Sequence, residues 1–187
     1  MILLRTGAAY KMEQKKEERK MTEIRRATAA DAEKILEYCK VIGSESDNLT
    51  FGAEGVSFTV EQERAYLDGI LDSDTQLYLV AVEDGEVVGT GSFSGFGKER
   101  LAHRGEISIA VKKAMWGKHV GTCLLEELIR FAKETAGAEI ISLEVRSDNE
   151  RAIRLYKKFG FETVGRFDGF MKINGAYVSC DIMRLLL

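Results

Sequence analysis

The most informative part of this chain is the segment LEVRSDNERAIRLYKKFGF, residues 143–161. Apolar and polar residues alternate at its start, which predicts a strand over residues 140–145. After Asn149 the apolar residues recur at helical spacing, and Gly160 is a typical residue to end a helix. The segment therefore predicts a strand, a short polar loop and a helix over residues 150–159.

A second segment, IAVKKAMWGKHVGT at residues 109–122, joins a strand over 106–111 to a long helix over 120–136. The first N–H groups of a helix have no partner within it and lie at the positive end of its dipole. Such a junction suits an anion, for example a diphosphate. Gly117 and Gly121 would let a ligand approach the backbone, and the neighbouring lysines add positive charge. An ordinary turn is the alternative interpretation.

The rest of the chain alternates strands and helices. Strands are also predicted over 23–26, 77–82, 86–93, 161–166 and 177–185, helices over 29–41 and 60–71, and loops over 43–57 and 168–176. The pair Asp84-Gly85 between two β-rich runs is a strong hairpin signal. The order β-α-α-β-β-β-α-β-α-β-β predicts an α/β fold (α+β mixed). Its central sheet would be twisted and mostly antiparallel, with about seven strands and helices on both faces.

Composition limits the class of protein. The chain has 187 residues, of which 45% are apolar and 30% are charged, with a net charge of −3 and no proline. This length and apolar content fit one globular domain, and the absence of proline excludes proline-rich ligand segments. No apolar run is long enough to span a membrane, and the charge balance argues against a nucleic-acid partner.

Residues 1–20 differ from the rest of the sequence. The run KMEQKKEERK at residues 11–20 is dense with charges of both signs, and a new pattern begins after it. The apolar run at residues 1–4 is too short for a signal peptide. We interpret residues 1–20 as an N-terminal extension without a chemical role, followed by a single domain over residues 21–187. A tag remnant or an oligomer contact is the alternative.

The cysteines and histidines predict no metal site. Cys39, Cys123 and Cys180 are far apart, and with His103 and His119 they form no zinc-ligand spacing. We expect three reduced thiols in a cytoplasmic protein.

The first segment matches the pattern Asn-x-x-Ala-x-x-x-Tyr-x-x-x-Gly-Phe at Asn149, Ala152, Tyr156, Gly160 and Phe161. Together with the glycine-containing loop before the long helix, this pattern resembles the GNAT superfamily of N-acetyltransferases. The likeness extends from Ile24 to about Leu185. It implies a sheet that splays between its fourth and fifth strands, with acetyl-CoA as the co-substrate in the opening.

The loop departs from the family pattern (Gln/Arg)-x-x-Gly-x-(Gly/Ala). Trp116 stands at the first position, His119 stands at the first glycine, and Gly121 is retained. The change to Trp116 is mild because this loop binds through backbone N–H groups. His119 puts a side chain where the backbone approaches the diphosphate. Three outcomes are open: an outward side chain with binding intact, an imidazolium contact to phosphate, or weakened cofactor affinity.

The resemblance implies a set of cofactor-binding residues: Ile109, Ala110, Val111, Trp116, Gly117, Lys118, His119, Val120, Gly121, Thr122, Asn149 and Tyr156. Backbone groups of Ile109 and Val111 would pair with the pantetheine arm, and residues 117–122 would hold the diphosphate. Asn149 would hydrogen-bond the cofactor. A plain helix cap at Asn149 and a buried core aromatic at Tyr156 are the structural alternatives.

The resemblance also implies direct attack of an amine on the thioester. Glu144 and Glu106 are candidates for the base that accepts the amine proton, and water alone is the third candidate. Solvated surface charges are the alternative interpretation of both glutamates. Tyr156 is the candidate acid that donates a proton to the departing thiolate.

The acceptor side would be built from the loop and helix between Gly43 and Leu71 and from the late loop over residues 168–176. These two parts carry Glu45, Asp47, Phe51, Glu54, Asp168, Phe170 and Lys172. Acidic and aromatic groups suit a small cationic amine, such as an amino acid or a polyamine, and solvated loop charges are the alternative. Edge strands of the sheet would also allow a homodimer. Two other functions stay open: a non-catalytic acyl-CoA-binding or regulatory module, and a protein N-terminal acetyltransferase.

Overall fold

The computed structural model describes residues 22–187. The strands are β1 (Glu23–Arg26), β2 (Gln76–Glu83), β3 (Glu86–Gly95), β4 (Arg104–Val111), β5 (Ile140–Arg146), β6 (Glu162–Ile173) and β7 (Ala176–Leu186). The helices are α1 (Ala32–Glu45), α2 (Val60–Ile70), α3 (Val120–Glu134) and α4 (Glu150–Lys158). Their order along the chain is the predicted one. The extension predicted over residues 1–20 lies outside the described residues.

Over residues 22–187 the strands form one seven-stranded sheet in the order β1-β2-β3-β4-β5-β7-β6. Neighbouring strands are antiparallel except β4 and β5, which are parallel. These two strands pair at their starts, from Arg104 opposite Ile140 to Glu106 opposite Ser142. Beyond that point each stays paired on its other side, to β3 or β7, but among the described residues nothing pairs across the gap. The predicted splayed, mostly antiparallel sheet is confirmed.

Helices cover both faces of the sheet, as predicted. Leu124 of α3 is buried with Leu79 of β2, whereas Ile35 of α1 and Leu67 of α2 are buried with Val80 of β2. Successive residues of a strand point to opposite faces, so these two clusters lie on opposite sides of the sheet. We call the two sides the α3 face and the α1 face.

The start of the predicted loop over 43–57 is wrong, because α1 continues through Gly43 and ends at Glu45. A Cβ atom on Gly43 would lie 1.9 Å from the carbonyl oxygen of Gly52. Gly43 therefore allows the returning chain to pack against the helix and does not end it. This contact joins residues that are distant in sequence, so the local pattern could not reveal it.

The late loop predicted over 168–176 is also wrong. β6 continues to Ile173 and pairs with β7, with a register shift between Phe167 and Met171. Gly169 lies within this irregularity at a φ of 73°, and the tight turn uses positive φ values at Asn174 and Gly175. An irregular strand with an internal glycine does not alternate cleanly, which is why the sequence pattern favoured a loop.

The carboxylate of Asp31 ties β1 to the start of α1. It accepts two hydrogen bonds from Arg25, at 2.7 and 2.8 Å, and one from the N–H of Thr28. The Arg25 hydrogen bonds lower the pKa of Asp31 to about 2. A carboxyl group with a lowered pKa stabilises the fold above its ordinary pKa, and this stabilisation is lost as the pH falls toward 2.

We therefore expect Asp31→Asn to reduce the free energy of unfolding by about 1–2 kcal/mol at pH 7, because Arg25 is partly exposed to solvent. The reduction should be smaller at pH 3. Urea denaturation at both pH values measures it, with the exposed Asp72→Asn as the control. An equal loss at both pH values would contradict the ion-pair explanation.

Candidate active site

The edge of β4 at the gap carries backbone groups that point away from β3. The N–H of Lys112 donates to the carbonyl oxygen of Val88 on β3, at 2.9 Å. Backbone groups of an antiparallel strand alternate between its two sides, so those of Ile107, Ile109 and Val111 face the gap. A ligand with an extended amide chain can pair with such an edge as an added strand.

The loop before α3 ends in an open helix N-terminus. His119 precedes the helix with a φ of 64°, in the left-handed region, and its side chain does not cap the helix. The N–H groups of Val120, Gly121 and Thr122 come before the first helical hydrogen bond, which Cys123 donates to the carbonyl oxygen of His119. A left-handed residue other than glycine costs about 1–2 kcal/mol. The open amides and the helix dipole suit an anionic group.

Trp116 connects this loop to β4 and to α4. Its indole Nε1 donates to the carbonyl oxygen of Val111 at 2.9 Å. The guanidinium carbon of Arg151, from α4, lies 3.2 Å from the ring centre. Partial burial lowers the pKa of Arg151, and no carboxylate in residues 22–187 pairs with it. Arg151 was not among the residues expected from the sequence, although its position near Asn149 in the motif could have indicated it.

Asn149 and Tyr156 belong to the start and the middle of α4. Asn149 caps the helix, because its Oδ1 accepts the N–H of Ala152 at 3.2 Å. Its Nδ2 has no hydrogen-bond partner in the described part of the chain. Tyr156 is buried with its ring centre 5.7 Å from that of Phe161, and burial raises the pKa of Tyr156 to about 12. Asn149 is therefore a helix cap and Tyr156 is a buried core aromatic, as the two structural alternatives predicted. Among the described residues neither Nδ2 of Asn149 nor the hydroxyl of Tyr156 has a hydrogen-bond partner, so both can bind a ligand.

The two candidate bases lie on the α1 face. Leu143 and Val145 of β5 belong to the core under α3, so Glu144 between them points to the other face. Ile107 of β4 also belongs to the core under α3, so the adjacent Glu106 points to the α1 face. Partial desolvation raises the pKa of Glu144, and the negative charge of Glu106 adds to this rise.

A cavity of about 620 Å³ is lined from both faces of the sheet and by the two edges of the gap. Tyr156 lines it from the α3 face and Glu144 from the α1 face, whereas Glu106 does not line it. All the expected cofactor-binding residues line it except Lys118, whose Nζ lies 3.6 Å from Sδ of Met115. The structure thus brings together the expected acid, one of the expected bases and the expected cofactor loop.

The expected acceptor residues are only partly brought together. Those that line the cavity are Glu45, Phe51 and Phe170, and those that do not are Asp47, Glu54, Asp168 and Lys172. The carboxylate of Glu54 accepts the N–H of Gly52, and that of Asp168 accepts the hydroxyl of Ser179. Of the expected acidic residues, Glu45 therefore lines the cavity and Asp47, Glu54 and Asp168 do not, so the expected acidic surroundings of the amine are formed only in part.

Comparison with known proteins identifies the family. Residues 45–161 match the sequence model described as the acetyltransferase (GNAT) family, which is more than half of the chain. The chain belongs to the GNAT family. The resemblance inferred from the sequence is confirmed.

Two curated relatives of this GNAT chain are named enzymes. It is 33% identical over 105 residues to the L-amino acid N-acetyltransferase AaaT of Escherichia coli K12, covering 56% of this chain and 65% of the relative. It is 33% identical over 99 residues to the N-alpha-acetyltransferase RimI of Mycobacterium tuberculosis, covering 53% of this chain and 60% of the relative. The chain thus spans less than two thirds of either relative.

Solved structures share the GNAT fold. An acetyltransferase of the GNAT family from Streptococcus pneumoniae superposes with a TM-score of 0.86 and 27% identity, over 89% of this chain and 100% of that chain. The structure of yncA from Salmonella typhimurium, solved with its cofactor acetyl-CoA, superposes with a TM-score of 0.77 and 24% identity. It covers 89% of this chain and 94% of that chain, and at this identity the likeness shows the fold.

Within residues 22–187 no group of three or more His, Cys, Asp or Glu side chains is arranged to hold a metal ion. No helix in that part of the GNAT chain is long and apolar enough to cross a membrane. The cysteines are unpaired, with Cys39 and Cys180 buried and Cys123 exposed.

Proposed function

We propose that this GNAT chain transfers the acetyl group of acetyl-CoA directly to the primary amine of a small molecule. One observation carries the proposal: a single cavity is lined by Tyr156 from one face of the sheet and by Glu144 from the other. Two substrates that enter from opposite faces would meet at the gap, so the amine would attack the thioester without an acyl-enzyme. Bringing the reactants together in this way supplies much of the acceleration.

The groups at the gap and the loop fit the parts of acetyl-CoA. The gap-facing backbone of Ile109 and the N–H of Val111 would pair with the amides of pantetheine. The open N–H groups of residues 120–122 would bind the diphosphate, and Nδ2 of Asn149 would donate to the cofactor. Arg151 lines the same cavity and adds a positive charge. When bound, acetyl-CoA supplies an activated acetyl group.

Glu144 would accept the proton of the incoming ammonium, directly or through water. An amine with a pKa of about 8–10 arrives protonated and must lose a proton before it can attack. The raised pKa of Glu144 brings its basicity closer to that of the amine. We choose Glu144 over Glu106 because Glu144 lines the cavity.

Tyr156 would donate its proton to the sulfur as the C–S bond breaks and the C–N bond forms. Burial keeps the phenol protonated throughout the neutral range. Its hydroxyl makes no hydrogen bond within residues 22–187, so its proton is available to a ligand. The same buried surroundings raise the basicity of the thiolate, whose thiol has a pKa of about 8.5 in water, which favours the transfer.

Thiol release tests the proposed function. The full chain is mixed with acetyl-CoA and a panel of primary amines, and free CoA is measured together with the acetylated amine. We expect CoA and acetylated amine in equal amounts, with no burst of CoA when the amine is left out. Calorimetry with acetyl-CoA is the control for binding. Binding without release across the panel would instead support the non-catalytic acyl-CoA-binding module.

A protein N-terminus is the second candidate acceptor, favoured by the likeness to the N-alpha-acetyltransferase RimI. Short peptides with free N-termini therefore belong in the same panel. A kcat/KM for a peptide at least about tenfold above that of every small amine would replace the small-molecule proposal, since it corresponds to about 1.4 kcal/mol of added recognition.

A further inference from the structure

The cavity has an acceptor half, which we define as the part lined by α1, by residues 46–58 and by β6. This half is mostly apolar, and its apolar side chains are Ile42, Leu49, Phe51, Val56, Phe170 and Met171. All of them except Ile42 are only partly buried, so they keep apolar surface that a ligand can cover. Covering this surface favours an acceptor with an apolar body.

The acceptor half offers no unpaired cation for a carboxylate of the acceptor. Arg146 of β5 lines the cavity beside this half, but Nε and Nη2 of Arg146 donate to the two carboxylate oxygens of Asp148, at 2.6 and 2.7 Å. Its Nη1 donates to the carbonyl oxygen of Asp47 at 3.1 Å. A free amino acid bound here would compete with Asp148 for Arg146 or leave its own carboxylate without an opposite charge, and either lowers its affinity.

A polyamine such as spermidine would present more ammonium groups than the cavity has carboxylates. Of the acidic residues in 22–187, Glu45 and Glu144 line the cavity, whereas Asp47, Glu54 and Asp168 do not. Glu144 is the proposed acceptor of the reacting proton. Glu45, whose Oε2 accepts the N–H of Lys113 at 2.7 Å, could pair with one further ammonium group. An acceptor with one ammonium group therefore fits better than one with three.

We propose that the acceptor is a primary amine on an uncharged, apolar body of about phenyl size, such as an arylalkylamine. This inference rests on the proposed acetyl transfer and narrows its acceptor. It replaces the expectation of a free amino acid or a polyamine, which came from acidic residues most of which lie outside the cavity.

Three matched amines test this inference in the thiol-release assay: phenethylamine, phenylalanine and spermidine. Phenylalanine adds a carboxylate to phenethylamine, and spermidine replaces the ring with further charges. We expect kcat/KM for phenethylamine to exceed that for phenylalanine and that for spermidine at least about tenfold. Phenethylamine buries its ring without adding a further charge, whereas phenylalanine and spermidine each bring charges that lack a partner in the cavity. An equal or higher value for phenylalanine or spermidine would overturn the inference.

Two phenylalanines of one segment provide matched variants. Phe51 lines the cavity, whereas Phe58 is 55% exposed and does not. We expect Phe51→Ala to raise KM for phenethylamine about 5- to 10-fold, with kcat and acetyl-CoA affinity nearly unchanged. Phe58→Ala should leave KM, kcat and acetyl-CoA affinity unchanged. Thermal melting checks that Phe51→Ala folds, and Phe170→Ala takes its place if it does not. An unchanged KM in a folded variant contradicts the inference.

The failures of the two proposals are distinguishable. No thiol release with any amine, while acetyl-CoA binds, contradicts the proposed acetyl transfer. Thiol release that is fastest with spermidine or phenylalanine would support acetyl transfer and contradict the proposal of an apolar acceptor.

Discussion

Replacing Tyr156 with Phe is expected to lower kcat about 100-fold or more, with KM for acetyl-CoA nearly unchanged. The substitution keeps the buried ring that packs on Phe161 and removes the proposed proton donor. Loss of a general acid typically costs about 10²–10⁴ in rate. Steady-state thiol release with the best amine of the panel measures the effect.

Tyr177→Phe is the matched control, because Tyr177 is 75% exposed on β7 and outside the cavity. It should leave kcat unchanged. The melting temperature of Tyr156→Phe should stay close to that of the unmodified chain, since the hydroxyl has no hydrogen bond in the described part to lose. A normal kcat in Tyr156→Phe would remove Tyr156 from its proposed role as the acid.

Replacing Glu144 with Gln is expected to lower kcat/KM about 100-fold at neutral pH, because glutamine cannot accept the amine proton. The pKa of Glu144 is raised, so in the unmodified chain activity should fall as the pH drops through a value above the ordinary glutamate pKa. Below that value the carboxyl group is protonated and cannot act as a base. In Glu144→Gln this fall of activity at low pH, the acid limb of the pH profile, should disappear. The increase in activity with pH that comes from deprotonation of the amine should remain.

Glu106→Gln distinguishes the two carboxylates. The charge of Glu106 contributes to the raised pKa of Glu144, so removing it should lower that pKa. We therefore expect the acid limb of Glu106→Gln to move to lower pH and stay in the profile. Loss of the limb in Glu106→Gln, with the limb kept in Glu144→Gln, would assign the base to Glu106.

The part of the site that the sequence predicted well is local. Asn149 caps α4, and Gly160 follows the helix with a φ of 91°. Both roles depend on the conformation of neighbouring residues, so residue type and spacing are enough to recognise them. The left-handed conformation of His119 is also a local feature, since His119 stands at a glycine position of the loop pattern.

The parts that the sequence did not predict depend on contacts between distant residues. Whether Glu144 or Glu106 lines the cavity depends on where the sheet opens. Asp168, one of the acidic residues expected around the amine, instead accepts the hydroxyl of Ser179 on the neighbouring strand, which the sequence pattern does not pair with it. The apolar character of the acceptor half likewise arises because β6 and the segment after α1 meet at one cavity.

The indole of Trp116 has an optical consequence. Trp116 is the single tryptophan of the 187 residues, and it is bonded to Val111 and stacked on Arg151 in the loop before α3. Tryptophan emission depends on the polarity and charge around the ring. The tryptophan emission of this protein therefore originates beside the proposed diphosphate site and not in the acceptor half. The chain thus carries a label-free reporter for only one of its two proposed substrates.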